Sequence, residues 1–427
     1  MRHAGGRAVL LVEGGADGTG RRLAQTARSM GFYPVVVTTR RGAGACAGLP
    51  GAPEVVVLPR VDADALLALA RARFGDDGVA GIACGAERFA AAAAQAAAHL
   101  GLPGPVAARV RTARDRAWQR ETLAAGGMPA TPFRTALSAC EAVAAARGFG
   151  FPAVVRPAAG GGTAGARVCA SPGQVRAHAA WLLTSGMGGG RRVLVEPLEA
   201  GEAFGVEVFS GKVVGIARTH RSGAPGFAEA GHDYPARLAP QVERLLANAA
   251  LRATELLGLG WGPLRWEVRL RGGQAVAVEA TPGLAVGFIP ELVRHAQGID
   301  LVRETLRLVV GRAPGLAVLA SGHASVRFLF PPGPGRLAAV SGLSTALGER
   351  GVTGVSVYPR VGDALTAHGD DRDRIGHVIA CMEGGGEAAH AAERARDAVR
   401  ITVEGRGEGY GGRPEARAPA WAGVGVA

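Results

Sequence analysis

The chain has 427 residues, of which 48% are hydrophobic, so it is long enough to bury sizeable cores in about two to four domains. Its 48 basic and 36 acidic residues give a formal net charge of +12. The basic residues are scattered and follow no nucleic-acid-binding motif, which favours small phosphate-containing substrates over nucleic acid. The apolar content also excludes a disordered protein.

The five cysteines are odd in number and form no CxxC pair. They lie in or beside apolar runs, so we expect reduced, mostly buried thiols and a cytoplasmic location. The sequence does not open with a signal-peptide pattern, and it has no run of about 18 apolar residues that could span a bilayer. We therefore expect no membrane partner.

The first hundred residues alternate short apolar strands with helical segments. This order predicts a small parallel α/β domain, which we assign to residues 1–112. The predicted strands are 7–13, 34–38, 55–58 and 79–84, and the predicted helices are 21–30, 62–73 and 86–100. The glycine turn at 13–20 has neither GxGxxG nor GK[ST], so it predicts only a tight connection from strand to helix.

A helix over 112–125 is predicted to open a second domain at 113–310, in which a glycine-rich loop follows a strand. The strand ends at Pro157, and the loop covers 158–165. Gly161 and Gly162 have no Cβ, so their N–H groups can approach phosphate oxygens, and Thr163 adds a hydroxyl donor. The alternative is a mobile hairpin tip with no ligand.

A hairpin over 265–280 carries two glutamates on one face. Strand alternation and a three-residue loop, Gly272-Gly273-Gln274, place Glu267 opposite Glu279. Like charges at directly paired positions are destabilising unless a positive group lies between them. A divalent cation or a salt-bridge ladder with Arg265 and Arg269, on the same face, would meet this need, and the hairpin alone leaves both possibilities open.

The remaining segments complete the second domain and form a third. The polar stretch 229–235 predicts an irregular loop, and 241–257 predicts an amphipathic helix with Leu245 and Leu246 on its apolar face. Helices at 288–295 and 301–309 follow. Short strands from residue 324 onward, with a last helix at 387–400, predict a strand-rich domain at 311–404, and 405–427 reads as a disordered tail.

These stretches, in this order and spacing, resemble the ATP-grasp superfamily over residues 7 to roughly 404, and within it the carboxylate-amine ligases. The sequence Glu229-Ala-Gly-His232 before a proline resembles the L-amino acid ligase branch. The resemblance implies a mixed α/β and α+β fold with three-domain ATP-grasp architecture: an N-terminal parallel α/β domain, two ATP-grasp lobes and a C-terminal strand-rich domain.

The resemblance also implies roles for individual residues. Those matching the ATP-binding positions are Arg116, Arg156, Gly161, Gly162, Thr163, Glu196, Pro197, Leu198 and Glu202. Among them, residues 196–198 match the hinge that contacts adenine, and Glu202 lies one residue from the ribose-binding position. Glu267, Glu279 and Thr281 match the Mg²⁺-binding positions, and Arg265, Glu229 and His232 match the substrate and catalytic positions. Two departures stand out: arginines replace the family's phosphate-binding lysines, and Thr281 and Gly283 replace its Asn-x-Arg.

The resemblance therefore implies an ATP- and Mg²⁺-dependent ligase that joins an amino-acid-like carboxylate to an amine through an acyl phosphate. A homodimer is compatible with this reading. Three alternatives remain open: a nucleotide-binding homologue with impaired catalysis, a ligase for a non-amino-acid carboxylate, and a basic nucleic-acid binder.

Overall fold

The computed structural model describes residues 7–14, 19–40, 53–75, 77–189, 191–199, 201–222 and 227–405. Its first sheet has four parallel strands in the order β3-β2-β1-β4. The strands are β1 (Ala8–Gly14), β2 (Tyr33–Thr38), β3 (Glu54–Val57) and β4 (Val79–Gly85). The helices are α1 (Thr19–Ser29), α2 (Ala63–Phe74) and α3 (Glu87–His99). The predicted parallel α/β domain is confirmed, whereas the predicted tail beyond residue 405 lies outside the described residues.

The predicted single helix over 112–125 is wrong at its start. A short helix, α4 (Ala107–Thr112), precedes a separate helix, α5 (Arg116–Ala125). The Asp115 carboxylate accepts hydrogen bonds from the N–H groups of Ala117 and Trp118, at 3.0 and 3.3 Å, and so caps α5. This cap places Arg116 at the first position of the helix.

A second sheet, in the order β5-β8-β6-β7, carries the glycine-rich loop between its last two strands. Its strands are β5 (Arg134–Ala136), β6 (Ala153–Pro157), β7 (Arg167–Cys169) and β8 (Val193–Pro197). The helices α6 (Ala139–Phe149) and α7 (Pro172–Ser185) share a core with this sheet. The predicted strand, loop and strand are confirmed.

The largest sheet has eight strands in the order β13-β12-β9-β10-β11-β14-β18-β16. The first five in chain order are β9 (Glu202–Phe209), β10 (Lys212–Arg221), β11 (Glu229–Tyr234), β12 (Pro263–Arg271) and β13 (Gln274–Pro282). The others are β14 (His323–Leu329), β16 (Val352–Val357) and β18 (Gly376–Met382). Strands from both sides of residue 310 thus form one sheet, and the domain limits at 112, 310 and 404 stay predictions.

The irregular loop predicted for 229–235 is wrong, because β11 is an interior strand between β10 and β14. The composition of this segment did not predict a strand, since glutamate, aspartate and glycine are depleted in strands. His232 and Tyr234 are buried, and the acidic side chains of Glu229 and Asp233 are paired with arginines. Burial of paired polar groups replaces the apolar alternation that marks other strands.

The turn of the β12–β13 hairpin has two residues, not the predicted three. Gly272 and Gly273 have φ values of +52° and +76°, as a type I′ turn requires, and Gln274 already pairs with Arg271. A regular hairpin with this turn would place Glu267 opposite Val278.

A β-bulge restores the pairing that was predicted. Val268 pairs with Ala277, whereas the next pair is Glu267 with Glu279, so Val278 is the extra residue. The two glutamates therefore face each other, although the predicted reason for this was incorrect. Trp266 on the opposite face is fully buried in the core beneath the sheet.

Helices cover the sheets. They are α8 (Pro240–Leu257), α9 (Ile289–Gln297), α10 (Leu301–Val309), α11 (Leu343–Gly348) and α12 (Gly385–Ala398). A three-stranded sheet joins β15 (Gly335–Ser341), β17 (Ala364–Leu365) and β19 (Arg400–Glu404). The buried stripe of α8 includes Leu246 and Leu257, whereas Leu245, predicted on that face, is 37% exposed.

Two expectations about cysteines and membranes can be compared with the described residues. The four described cysteines are free, as expected; Cys169 is buried, Cys84 and Cys381 are half-buried and Cys140 is exposed, so burial is less complete than expected. Cys46 lies outside the described residues. Within the described ranges, no helix has the length and apolarity needed to cross a membrane.

Candidate active site

A cavity of about 520 Å³ lies between the N-terminal α/β unit and the largest sheet. Its charged side is lined by glycine-loop residues, by polar side chains of β11, β12 and β13, by Glu87 at the start of α3 and by Asp371 of a C-terminal loop. The residues on this side are Glu87, Gly161, Gly162, Thr163, Glu229, Arg265, Glu267, Glu279, Thr281 and Asp371. A concave site with convergent charged groups is the usual form of a small-molecule site.

Glu279 is held between two buried arginines. Its Oε1 lies 3.0 Å from Arg116 Nη2 and its Oε2 lies 2.7 Å from Arg156 Nη2. Burial would raise the pKa of Glu279, but the two guanidinium groups outweigh burial and lower the pKa. All three side chains are almost completely buried, so each charge depends on its partner.

The same two arginines hold the glycine-rich loop. Arg116 and Arg156 each donate a hydrogen bond of 3.0 Å to the carbonyl oxygen of Gly162. Gly162 has φ of +66°, a conformation that favours glycine. The N–H groups of both arginines thus converge on the Glu279 carboxylate and the Gly162 carbonyl oxygen. Phosphate oxygens are hydrogen-bond acceptors too and could take the place of either.

Glu267 faces Glu279 but has its own cations. Its Oε1 lies 2.7 Å from Arg221 Nη2 and 3.2 Å from Arg269 Nε. Burial opposes ionisation, but Arg221 and Arg269 dominate and lower the pKa of Glu267 to about 2. The ladder alternative is therefore partly confirmed, although the Arg265 that was expected in it pairs elsewhere.

The expected nucleotide hinge lies at the end of β8. Glu196 is buried, with Oε2 at 2.6 Å from Arg120 Nη2, and Leu198 N–H donates a hydrogen bond of 3.3 Å to the carbonyl of Pro152. Pro197 is half-buried between them. Glu202 is exposed, pairs with Arg218 on the neighbouring strand, and is absent from the cavity lining.

Arg265 and Glu229 line the substrate side of the cavity. Arg265 pairs with Glu207 through Nη1, and its Nη2 lies 3.2 Å from Thr219 Oγ1 and 3.9 Å from Glu229 Oε1. A Cβ at Gly205 would meet the Arg265 guanidinium at 2.3 Å, so glycine there makes room for the arginine. Arg265 thus reaches across the sheet toward β11.

His232 lies behind Glu229 and is fully buried. Its Nε2 is 3.5 Å from Glu229 Oε2, and its Nδ1 is 3.3 Å from Thr219 Oγ1. Burial, despite the nearby carboxylate, lowers the pKa of His232 to about 4. The imidazole is therefore neutral near pH 7 and lies on the core side of the Glu229 carboxylate, with no hydrogen bond from its Nε2 to that carboxylate.

A C-terminal loop that the sequence did not single out completes the substrate side. Asp371 Oδ1 accepts a hydrogen bond of 2.8 Å from Glu229 N–H, and Asp371 N–H donates one of 3.2 Å to Thr163 Oγ1. Arg374 lies 2.9 Å from the same Asp371 oxygen and 3.4 Å from Glu229 Oε2. Burial and the Glu229 charge raise the pKa of Asp371 to about 6.

Comparisons with known proteins bear on what this site does. Residues 327–404 match the family model of the L-amino acid ligase C-terminal domain 2. Residues 115–201 match that of the carbamoyl-phosphate synthase L chain, ATP binding domain. The second match includes Arg116, Arg156, the glycine-rich loop and Glu196.

Relatives and solved structures agree with these two matches. Uncharacterized protein y4rH of Sinorhizobium fredii is 30% identical over 407 residues, which cover 93% of this chain and 83% of that protein. Carnosine synthase 1 of Gallus gallus is 27% identical over 180 residues, or 39% of this chain and 19% of the synthase. The crystal structure of an L-amino acid ligase from Bacillus licheniformis gives a TM-score of 0.80 at 17% identity, over 94% of this chain and 100% of that one.

The chain belongs to the ATP-grasp superfamily of carboxylate-amine ligases. It is an enzyme of the class that forms C–N bonds, and its three-part architecture is the ATP-grasp fold. A further structure with this fold, the biotin carboxylase domain of Hydrogenobacter thermophilus 2-oxoglutarate carboxylase, contains MgADP and bicarbonate. It gives a TM-score of 0.69 at 17% identity and covers 94% of this chain and 92% of that one.

The acidic pair of this ATP-grasp ligase fits a magnesium ion that is shared with phosphates. Glu267 and Glu279 lie opposite each other and line the cavity with Thr281, but among the described residues they belong to no acidic, histidine or cysteine cluster that could hold a metal alone. Magnesium is commonly bound by one or two carboxylates together with substrate phosphates and waters. Phosphates that engage Arg116 and Arg156 would free both Glu279 oxygens for this purpose.

The residues that sequence reasoning missed in this ATP-grasp site are mostly arginines and their partners. Arg221, Arg374, Glu207 and Asp371 come from two strands and one loop that are distant in sequence. No local motif marks them. The one available signal for arginines in the site was the shortage of lysine. Lys212 is the single lysine of the sequence, so the cations of the site must be arginine or histidine.

Proposed function

We propose that this ligase uses ATP and Mg²⁺ to phosphorylate the carboxylate of an amino acid or a similar acid, and then joins the acyl group to an amine. One observation carries the proposal. Glu279 and Gly162, the partners of Arg116 and Arg156, line the same cavity as Glu229 and Arg265. A phosphate end and a charged substrate end would thus share one cavity.

ATP binding is expected to change the hydrogen-bond partners of Arg116 and Arg156. The phosphates would replace Glu279 and the Gly162 carbonyl as acceptors for Arg116 and Arg156, and the N–H groups of Gly161 to Thr163 would close over them. Backbone groups at 196–198 would receive the adenine. Glu202 is the assigned ribose ligand, and to bind ribose it would have to leave Arg218.

The first chemical step forms the acyl phosphate. A carboxylate oxygen of the acid attacks the terminal phosphorus of ATP, the bond to the bridging oxygen breaks, and ADP leaves with that electron pair. Arg265 lies where it can offset the charge of the carboxylate and of the acyl phosphate. Magnesium bound by Glu267, Glu279 and Thr281 supplies further charge neutralisation at the phosphates.

The second step forms the amide. The amine nitrogen attacks the acyl carbon, the C–O bond to phosphate breaks, inorganic phosphate leaves, and the nitrogen loses a proton to solvent or to a carboxylate. Glu229, which accepts a hydrogen bond from Arg374 and lies against His232, carries negative charge on the cavity wall and would orient the incoming ammonium group before it loses its proton. Arg265 thus faces the negatively charged acid, and Glu229 faces the positively charged amine.

A second candidate is a nucleotide-binding homologue that has lost ligase chemistry. Gly283, which stands where the family has arginine, has φ of +112° and open space where a side chain would be, and Thr281 stands at the family's asparagine position. Arg265, across the hairpin from Thr281, is the cation that we assign to the missing role.

ADP release with pooled amino acids, ATP and Mg²⁺ separates the two candidates. The ligase predicts release that depends on an acid and increases when an amine is present. ATP binding by calorimetry without turnover for any pair would reject the ligase. Mass spectrometry of products from a panel that also contains non-amino acids distinguishes an amino acid ligase from a ligase of another carboxylate.

A further inference from the structure

The cavity has an apolar side that the proposed chemistry does not use. Away from the carboxylates and the glycine-rich loop, its wall is formed by α3, α4, the start of β12 and α10. Apolar residues there include Ile82, Val110, Leu259, Trp261, Leu284 and Val309. Most of these six are buried, whereas Val106 and Val286, which also line the cavity, are 65% and 53% exposed, so the apolar side is partly open to solvent.

All the apolar residues of α3 that line this space are alanines. Ala90, Ala93, Ala94 and Ala97 recur at the spacing of one helix face and all line the cavity. Ala93, Ala94 and Ala97 are at most 4% exposed, yet a methyl group is the largest side chain that any of them presents. The space beside α3 would be filled if these positions carried leucine or phenylalanine.

The charged side fixes which end of a substrate reaches it. Gly161, Gly162, Thr163 and Glu279 lie at the phosphate end, so the reacting carboxylate of the acid must lie beside them. The remainder of the acid then has to extend into the rest of the same cavity. That remainder meets a wall that is mostly apolar, although Arg109 of α4 and Thr305 of α10 also line the cavity, and apolar surface transferred there from water is stabilised.

We propose that the acid substrate carries a bulky apolar group, which the alanine-lined side of the cavity binds while the carboxylate faces the phosphate end. This inference rests on the proposed function, because that function supplies the orientation of the acid. It assigns Ala90, Ala94 and Ala97 as the residues that determine the size of the accepted group. A larger side chain at these positions excludes the apolar group without touching the charged side.

Calorimetry on the full chain with MgADP tests the orientation by four probes. L-phenylalanine, 3-phenylpropionate, which lacks the amine, and phenethylamine, which lacks the carboxylate, share one ring, and acetate lacks the ring. We expect L-phenylalanine and 3-phenylpropionate to bind at least about tenfold more tightly than acetate, because they bury a ring. Stronger binding of phenethylamine than of 3-phenylpropionate would assign the apolar side to the amine and overturn the proposal, as would no binding of any probe.

Two matched variants on α3 test the wall. Ala94→Leu is expected to weaken 3-phenylpropionate binding about tenfold by filling the space. Ala98→Leu lies on the exposed side of the same helix, outside the cavity lining, and should leave binding unchanged. If Ala94→Leu and Ala98→Leu bound 3-phenylpropionate equally tightly, the proposal would be overturned. Ring-dependent binding without ADP release would support this inference and reject the ligase, so the two failures are distinguishable.

Discussion

At the scale of single residues, Glu279 is the group whose environment defines the phosphate end. Its carboxylate is the common partner of Arg116 and Arg156, and all three are buried. Removal of one member of such a group leaves uncompensated buried charge, whereas an exposed ion pair contributes little. Glu279 is therefore expected to matter both for the fold and for magnesium and phosphate binding.

Glu279→Gln is predicted to lower ATP turnover at least about 100-fold while the protein remains folded, because the neutral amide is a poor magnesium ligand. It should also lower the free energy of unfolding by about 3 kcal/mol, since two arginines lose their carboxylate. ADP release and thermal unfolding measure the two effects. Glu349→Gln, which removes only the exposed ion pair with Arg394, is the control and should change neither. Turnover retained by Glu279→Gln would mean that the acidic pair is structural.

His232 makes stability depend on pH. Its pKa falls from 6.5 to about 4 because of burial, so the unfolded chain binds this proton at a higher pH than the folded chain does. The stability gained is present above pH 6.5 and is lost as pH falls toward 4, by up to about 3 kcal/mol. His232→Asn should weaken this dependence of thermal unfolding between pH 7 and 4.5.

A histidine NMR titration supplies the control for this prediction. The imidazole resonance that disappears in His232→Asn should be one that does not shift between pH 8 and pH 5. A lost resonance that titrates near pH 6.5 would contradict a neutral, buried imidazole behind Glu229.

At the scale of elements, the C-terminal loop and the glycine-rich loop act as one unit. Asp370 is 1% exposed and its Oδ2 accepts a hydrogen bond of 3.0 Å from Gly165 N–H, while Asp371 contacts Thr163. These contacts connect the loop that covers phosphates to the part of the chain that carries Arg374. Closure over ATP should therefore involve the C-terminal domain.

Asp370→Ala is predicted to raise the KM for ATP several-fold and to speed hydrogen exchange over residues 158–165, because Gly165 N–H loses its acceptor. Exchange followed by mass spectrometry reads the loop directly. Asp363→Ala, which removes an exposed carboxylate from a neighbouring turn, should leave that segment unchanged. Unchanged exchange in both variants would show that the two loops are independent.

Strands and helices with apolar patterns could be predicted from sequence, whereas polar elements could not. The β1 to β4 strands and the glycine-rich loop follow local rules of composition and turn chemistry. β11 could not be recognised, because its burial depends on arginines that arrive from distant strands. Glu267 and Glu279 were correctly paired through a loop length that was wrong, since a bulge at Val278 compensated for the shorter turn.

At the scale of the whole molecule, one sheet joins the predicted ATP-grasp and C-terminal domains. β14 pairs with β11 along four residue pairs and buries the face that includes Tyr234. A chain that ends at Val310 would expose the edge of β11 and a large apolar surface. We predict that this truncated chain aggregates or lacks a cooperative unfolding transition.

A chain that ends at Gly405 is the matched control for this truncation. It retains all the described strands and should unfold cooperatively and bind ATP as the full chain does. Cooperative unfolding of the shorter chain with normal ATP binding would contradict a continuous sheet and favour an independent C-terminal unit.

The central claim is that the acid is activated as an acyl phosphate. An acid labelled with ¹⁸O in both carboxylate oxygens, incubated with the enzyme, ATP, Mg²⁺ and an amine, tests it by mass spectrometry of the phosphate released. We predict one ¹⁸O atom in each inorganic phosphate and one in each amide, with ADP as the nucleotide product. Amide formation with unlabelled phosphate, or with AMP as the product, would contradict the account.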